Sequence, residues 1–419
     1  MSRLTPTVPA PAAMIPASDL PTERSPSKRL PSIDVYRGMV MFLMLAEVLH
    51  WSHLNQHSEG FAPWIQQVFE WVSFHTSHVE WRGCSLHDMI QPSFSFLVGT
   101  ALAFSFTNRQ ARGQGWLRML GHALVRSIVL IFLGIFLRSL GKPQTNFTFD
   151  DTLTQIGLGY WLLFLLAPLN TRWLIAVVAL ILGGYWALFA FYPLPGPDFD
   201  YPAVGVPMNW PEHFENFAAH WNKNSNPAWA FDTWWMNLFS REKPFLFSAG
   251  GYCTLSFIPT LGTMVLGLIA GKWLQSENAT GQRSMLLLTT GAVCLALAWA
   301  WDDLGSCPIV KRIWTPSWTL WSGGICFLWL LVLHWICDVA GFWQWAYPWR
   351  VIGANSIVAY VMSWTLEQPT HAAIERHFGW LVDRVVSDEF RPMLLGALTL
   401  AIFWLVLQWL YRQRIFVRI

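Results

Sequence analysis

The sequence predicts an all-α, polytopic integral membrane protein: a helical bundle of about ten transmembrane helices with both termini on the inner side. Three observations predict it. Hydrophobic residues fill 54% of 419 positions and charged residues only 12%, where a soluble domain carries about 25% charge. The mean hydropathy of +0.35 comes from long uninterrupted apolar runs, and basic residues gather on one side of those runs. Each run must be helical, because lipid offers no partner to an open backbone. This pattern excludes a soluble enzyme, a disordered chain and a disulfide scaffold. Lys+Arg 27 against Asp+Glu 25 leaves a formal +2, so no charge excess points to nucleic acid.

Taken in order, residues 1–31 are rich in Pro, Ser and Thr, lack a signal-peptide core and read as a disordered cytoplasmic tail. Residues 32–419 form the transmembrane domain. Crossing about 30 Å of hydrocarbon takes roughly 17–25 helical residues. The candidate spans are 36–54, 86–106, 119–138, 153–169, 173–192, 250–271, 284–301, 316–337, 351–366 and 392–411. The first is the least apolar, carrying Glu47 and His50, and the fourth is short. Ser32 or Asp34 is the expected cap where the first helix starts. Two outer loops are long, 55–85 and 193–249, and loops of such length usually carry function. Within the first, an amphipathic stretch from Trp64 to Phe74 is expected to lie on the membrane face. No internal repeat is visible, which argues against an inverted-repeat transporter.

The flanking charges set the orientation. Arg24, Lys28, Arg29, Arg109, Arg112, Arg118, Arg172, Lys272, Arg283, Arg350, Arg412, Arg414 and Arg418 fall inside if the N-terminus is inside. The opposite side receives Glu59, Glu70, Glu80, Asp150, Asp151, Asp198, Asp200, Glu212, Asp302 and Asp303.

Several polar residues could carry chemistry. Six of the twelve histidines (His50, His53, His57, His75, His78 and His87) fall within 38 residues on the outer side. Histidine is the default base near neutral pH and a common metal ligand. His50, His53 and His57 share one helix face, so a metal or haem site is conceivable, although the six cysteines show no ligand spacing. Glu47 is an intramembrane acid, a functional candidate by default, three residues from His50. Arg126 lies inside the third span and must pair or face water. Asn355, Ser356, Tyr360, Ser363 and Glu367 form a polar stripe that either joins helices or lines a cavity.

Read together, some segments are familiar. Ser32-Ile-Asp-Val-Tyr-Arg-Gly-Met and His78-Val-Glu-Trp-Arg-Gly-Cys-Ser-Leu-His-Asp-Met resemble the heparan-α-glucosaminide N-acetyltransferase family and its bacterial relatives. Leu153-Thr-Gln-Ile-Gly-Leu-Gly-Tyr, Trp314-Thr-Pro-Ser-Trp and Asn355-Ser-Ile-Val-Ala-Tyr follow in family order, and the likeness covers about residues 30–419. The resemblance implies a multi-pass enzyme that carries acetyl from cytoplasmic acetyl-CoA to a sugar amine across the membrane, here the inner membrane of a bacterium. It matches the essential H-x-x-W-x-G histidine to His78, with Trp81 and Gly83. The family carries an Asn about eleven residues before that histidine; here the intervening loop is longer, and Glu47 and Val48 stand nearest.

The expected catalytic residues are therefore His78, as general base or acetyl carrier, with Glu47 and Asp88. Arg37, Arg126 and Asn355 are expected to bind acetyl-CoA, and Trp81 and Gln155 the acceptor. No metal is expected. The expected partners are acetyl-CoA, a sugar or glycan acceptor and the lipid bilayer, with a homodimer as the assembly considered. The alternative reading is a multi-pass transporter or export channel without covalent chemistry.

Overall fold

The architecture comes from a computed structural model that describes residues 30–417. Most of the expected tail, residues 1–29, lies outside the described residues. Pro31, assigned to that tail, already stands in the first turn of a helix, where its missing N–H costs nothing. In chain order the helices are α1 (Pro31–Leu45), α2 (Pro63–His75), α3 (Ile90–Ala111), α4 (Trp116–Ser139) and α5 (Thr152–Leu166). They continue as α6 (Thr171–Ala190), α7 (Pro227–Trp235), α8 (Phe257–Gln275), α9 (Thr280–Asp303) and α10 (Pro316–Leu333). The last four are α11 (Tyr347–Ala354), α12 (Ser356–Thr365), α13 (Glu367–Val385) and α14 (Arg391–Arg412). Among the described residues there is no strand; Arg82 and Val310 form an isolated bridge.

Among the described residues, seven helical stretches are long and apolar enough to span a bilayer, and they contain α3, α4, α6, α8, α9, α10 and α14. The other three expected spans coincide with shorter elements. α5 has 15 residues. The span 351–366 divides into α11 and α12 at Asn355, whose φ and ψ of −126° and 45° leave the helical region. The span 36–54 ends its α-helix at Leu45 and goes on as two 3₁₀ segments, Ala46–Leu49 and Trp51–His57. His50 separates them in the left-handed region, at φ 53°. The α-helical face expected for His50, His53 and His57 is therefore not formed. Among the described residues, no group of three His, Cys, Asp or Glu is placed to hold a metal.

α3 and α8 form the centre of the bundle. A Cβ at Gly99 would collide with the Met264 carbonyl, and one at Gly267 with the Phe96 carbonyl. Glycine at both places lets the backbones touch, and Thr100 Oγ1 donates to Gly267 O at 3.0 Å across the seam. Close approach and shared hydrogen bonds replace the hydrophobic drive that lipid cannot supply. The outer helices turn Leu117, Phe132, Leu180, Leu297 and Leu405 outward, as lipid contact requires.

The cap of α1 differs from the expectation. The Ser32 N–H donates to Asp338 Oδ1 at 3.0 Å and its hydroxyl to Oδ2 at 2.5 Å. Asp338 lies in a π-helical segment, His334–Val339, that continues α10. A carboxylate 306 residues downstream thus satisfies the N-terminus, and this could not be read from local sequence.

The two long loops are ordered. The stretch from Trp64 to Phe74 is helical as expected (α2), with Trp64, Val68, Trp71 and Phe74 exposed. Residues 193–249 fold around α7, whose Asn226 side chain caps Ala228 and Trp229 N–H. Trp221 from this loop stacks on Phe189 at 4.5 Å. With Trp81, Tyr185, Cys253, Val310 and Ile313 these rings form a second apolar core at one end of the bundle.

Candidate active site

That second core fixes two short loops against each other. One carries His78 to Ser85 and the other Ile309 to Thr315. Gly83 N donates to Ile309 O at 3.0 Å, with Gly83 at φ 118°, a conformation only glycine adopts freely. Arg82 grips Asp302 with two hydrogen bonds, at 3.1 and 2.8 Å. Arg312 donates to Val79 O at 3.1 Å and Gly250 O at 2.8 Å. Trp81 is fully buried and its indole N–H donates to Trp221 O.

At the junction of these loops sits a histidine–carboxylate pair. His78 Nδ1 lies 2.7 Å from Asp88 Oδ1. Asp88 is wholly buried, while the His78 side chain keeps 39% of its surface. The other carboxylate oxygen, Oδ2, accepts from Val79 N, Ser85 N and Ser85 Oγ at 3.3, 3.1 and 2.9 Å. Lys311 Nζ completes the cluster, 3.0 Å from Asp88 Oδ1 and 3.0 Å from His78 Nδ1. The backbone N–H, hydroxyl and ammonium groups on the carboxylate are all donors, which favours the anion, and an anionic oxygen 2.7 Å from Nδ1 calls for the ring proton on that nitrogen. That leaves the Nε2 lone pair available. His87 packs its ring 4.4 Å from His78. Sequence reasoning missed Lys311. Its one available signal was a lysine in an apolar setting just before an expected span.

A cavity of about 500 Å³ opens among α1, α3, α4, α5, α11 and α12. Arg37, Asn108 and Arg126 supply polar lining, and Phe94, Leu97 and Tyr360 apolar lining. Arg37 pairs with Asp34 at 3.5 Å. Arg126 donates to Tyr160 Oη at 3.3 Å and lies 4.5 Å from that ring's centre. Phe94 follows Asp88 by six residues, from the 3₁₀ turn His87–Met89 into α3.

The remaining expected site residues are placed otherwise. Glu47 is exposed in the 3₁₀ segment Ala46–Leu49 that follows α1, and no contact joins it to His78. Asn355 is fully buried, donating to Ile415 O at 2.9 Å and accepting from Val417 N at 3.0 Å. Of this group Val417 lines the cavity, so Asn355 bears on it through the C-terminal segment. Gln155 is buried and its Nε2 holds Phe149 O at 2.6 Å and Thr254 O at 3.2 Å. Thr254 N in turn donates to Asp232 Oδ2 at 2.9 Å, and burial pushes the Asp232 carboxyl up to about 7. Trp81 and Gln155, expected to bind the acceptor, are thus buried, with their side-chain N–H groups donating to backbone carbonyls.

Fold and site together define an all-α integral membrane protein with a histidine–carboxylate–lysine cluster beside its bundle. The chain is distantly related to the heparan-alpha-glucosaminide N-acetyltransferase of Homo sapiens, 23% identical over 430 residues, which cover 93% of this chain and 59% of that protein. The Mus musculus protein of the same name is 23% identical over 384 residues, 82% of this chain and 56% of that protein. The chain therefore spans a little over half the length of the curated relatives it matches. No family model matches it.

Proposed function

We propose that this chain is a transmembrane acetyltransferase. It takes acetyl from acetyl-CoA at the inner face and transfers it to an amine or hydroxyl of a sugar or glycan at the outer face. The observation that carries this reading is the His78–Asp88 pair, 2.7 Å apart, on a histidine whose side chain is 39% exposed. The distant relationship to two N-acetyltransferases supports the reaction class.

A thioester is already activated, so the protein has two tasks: to position the acceptor and to take its proton. The acceptor atom bonds to the thioester carbonyl carbon, the C–S bond breaks and CoA departs as the thiolate. The proton leaves the acceptor for His78 Nε2 and passes on to the thiolate sulfur. In the two-step variant Nε2 itself attacks first and carries the acetyl group. Asp88 holds the ring orientation in both. Arg37 and Arg126 line the cavity and are suited to CoA phosphate or carbonyl oxygens. Trp81, Gln155 and Asn355 support the site without touching substrate.

The test is acetyl transfer from labelled acetyl-CoA by His75→Ala, His78→Ala and His87→Ala proteins side by side. His78→Ala is expected to fold, bind CoA and lose at least about 10²-fold in rate, the low end for a general base. Near-normal transfer by that variant would remove His78 from the mechanism.

A further inference from the structure

Lys311 is the buried cation that the mechanism above leaves without a task. It is 5% exposed, and an ammonium is not left in such a place without a charge partner. Its partner is Asp88, and the two put one positive and one negative charge on the same side of the His78 ring. A buried carboxylate alone beside Nδ1 would favour the imidazolium, because an opposite charge at this distance stabilises the charged form. A protonated ring has no lone pair on Nε2 and can neither accept a proton nor attack a carbonyl. The Lys311 ammonium, 3.0 Å from Nδ1, opposes that protonation. With the proton on Nδ1, both Nζ and Nδ1 donate to Asp88 Oδ1, so the lysine does not take the ring proton. It offsets the carboxylate's charge while leaving its orienting hydrogen bond in place.

We propose that Lys311 is a positioning residue of the transfer site: it cancels the Asp88 charge so that His78 stays neutral, as the Nδ1–H tautomer with Nε2 free, at neutral pH. The proposal rests on the reading of His78 as base or acetyl carrier. The other charged or titratable groups around the ring are His87, packed against it, Cys84 on the same loop, and Arg312, bonded to Val79 O. None of them bonds to Nδ1, so the balance at that atom is set by Asp88 and Lys311.

The experiment measures kcat/KM for acetyl transfer against pH in the full-length protein, for wild type, Lys311→Met, Lys311→Arg and His78→Ala. Lys311→Met is expected to move the acid limb to higher pH by about one unit. At pH 6 that is a loss of about tenfold relative to wild type, and the rate recovers toward wild type at the alkaline plateau. Lys311→Arg is expected to keep the wild-type limb, because the charge is preserved. An unshifted limb in Lys311→Met, or equal shifts in both lysine variants, overturns the proposal. Loss of the whole profile in His78→Ala with no shift in Lys311→Met sinks the lysine's role alone. A normal profile in His78→Ala sinks the underlying reading instead. Should Lys311→Met fail to fold, ¹⁵N spectra of histidine-labelled wild type decide. A neutral His78 protonated on Nδ1 at pH 7 is expected, and an imidazolium or an Nε2–H ring refutes the assignment.

Discussion

His78 and Asp88 stand ten residues apart in the chain, and the carboxylate Oδ1 holds the ring at Nδ1, 2.7 Å away. The loop between them closes because Ser85 folds back, its Oγ 2.6 Å from Ser77 O while its N–H reaches Asp88. Orientation of the ring is therefore a property of one short loop, and the charge balance is supplied by a second.

The buried ion pair gives a stability prediction. Asp88→Asn leaves the Lys311 ammonium without its counter-charge, which typically costs about 3–5 kcal/mol. Adding Lys311→Met removes the stranded charge, so the double variant should be more stable than Asp88→Asn alone. Thermal unfolding of the wild type, Asp88→Asn, Lys311→Met and the double variant checks this. Simple additivity would mean that the pair is not coupled.

CoA should protect the protein against heat, since a ligand that binds only the folded state stabilises it. Arg126→Ala is expected to weaken that protection. Arg391→Ala should not, because Arg391 is engaged with Glu375 and Asp383 on another helix. Equal protection in both variants would take Arg126 out of the donor site.

Trp81 is fully buried, so its loss should act through folding rather than substrate affinity. Trp81→Ala is expected to cost about 3–5 kcal/mol. Trp81→Phe, which keeps most of the volume, should cost less and leave the KM for acceptor unchanged. A raised acceptor KM in a well-folded Trp81→Phe protein would return this residue to the binding surface.

Asp232 predicts a pH dependence of stability. In the folded chain it holds its proton to about pH 7, whereas the unfolded chain releases it near pH 4. Between those values the native state binds the extra proton, so stability falls as pH rises across the window. Asp232→Asn stays neutral throughout and should flatten the melting-temperature curve from pH 4 to 7. An unchanged slope in the variant would assign the dependence to other groups.

The proposed orientation places residues 193–249 outside. A small epitope at exposed Asp198 should be reached by antibody on sealed right-side-out membrane vesicles, and one at the N-terminus only after permeabilisation. Labelling of Asp198 only after permeabilisation would invert the topology and with it the side of acetyl delivery.

The sequence alone determined what periodicity and composition can carry. Runs of twenty apolar residues have one outcome in lipid, so α3, α4, α6, α8, α9, α10 and α14 were legible. So was α2, whose Trp64, Val68, Trp71 and Phe74 repeat at helical spacing. His78 was separable from its five neighbours only by resemblance, since six histidines carry the same chemistry. Tertiary structure decided the rest, because charge pairing is a relation between distant segments. Lys311 reaches Asp88 across 223 positions, and Asp338 caps α1 across 306; neither spacing has a local signal. The fates of Trp81, Gln155 and Asn355 were hidden for the same reason. A polar or aromatic residue looks alike in sequence whether its hydrogen bonds go to a substrate or to buried backbone, and only the packing around it decides which.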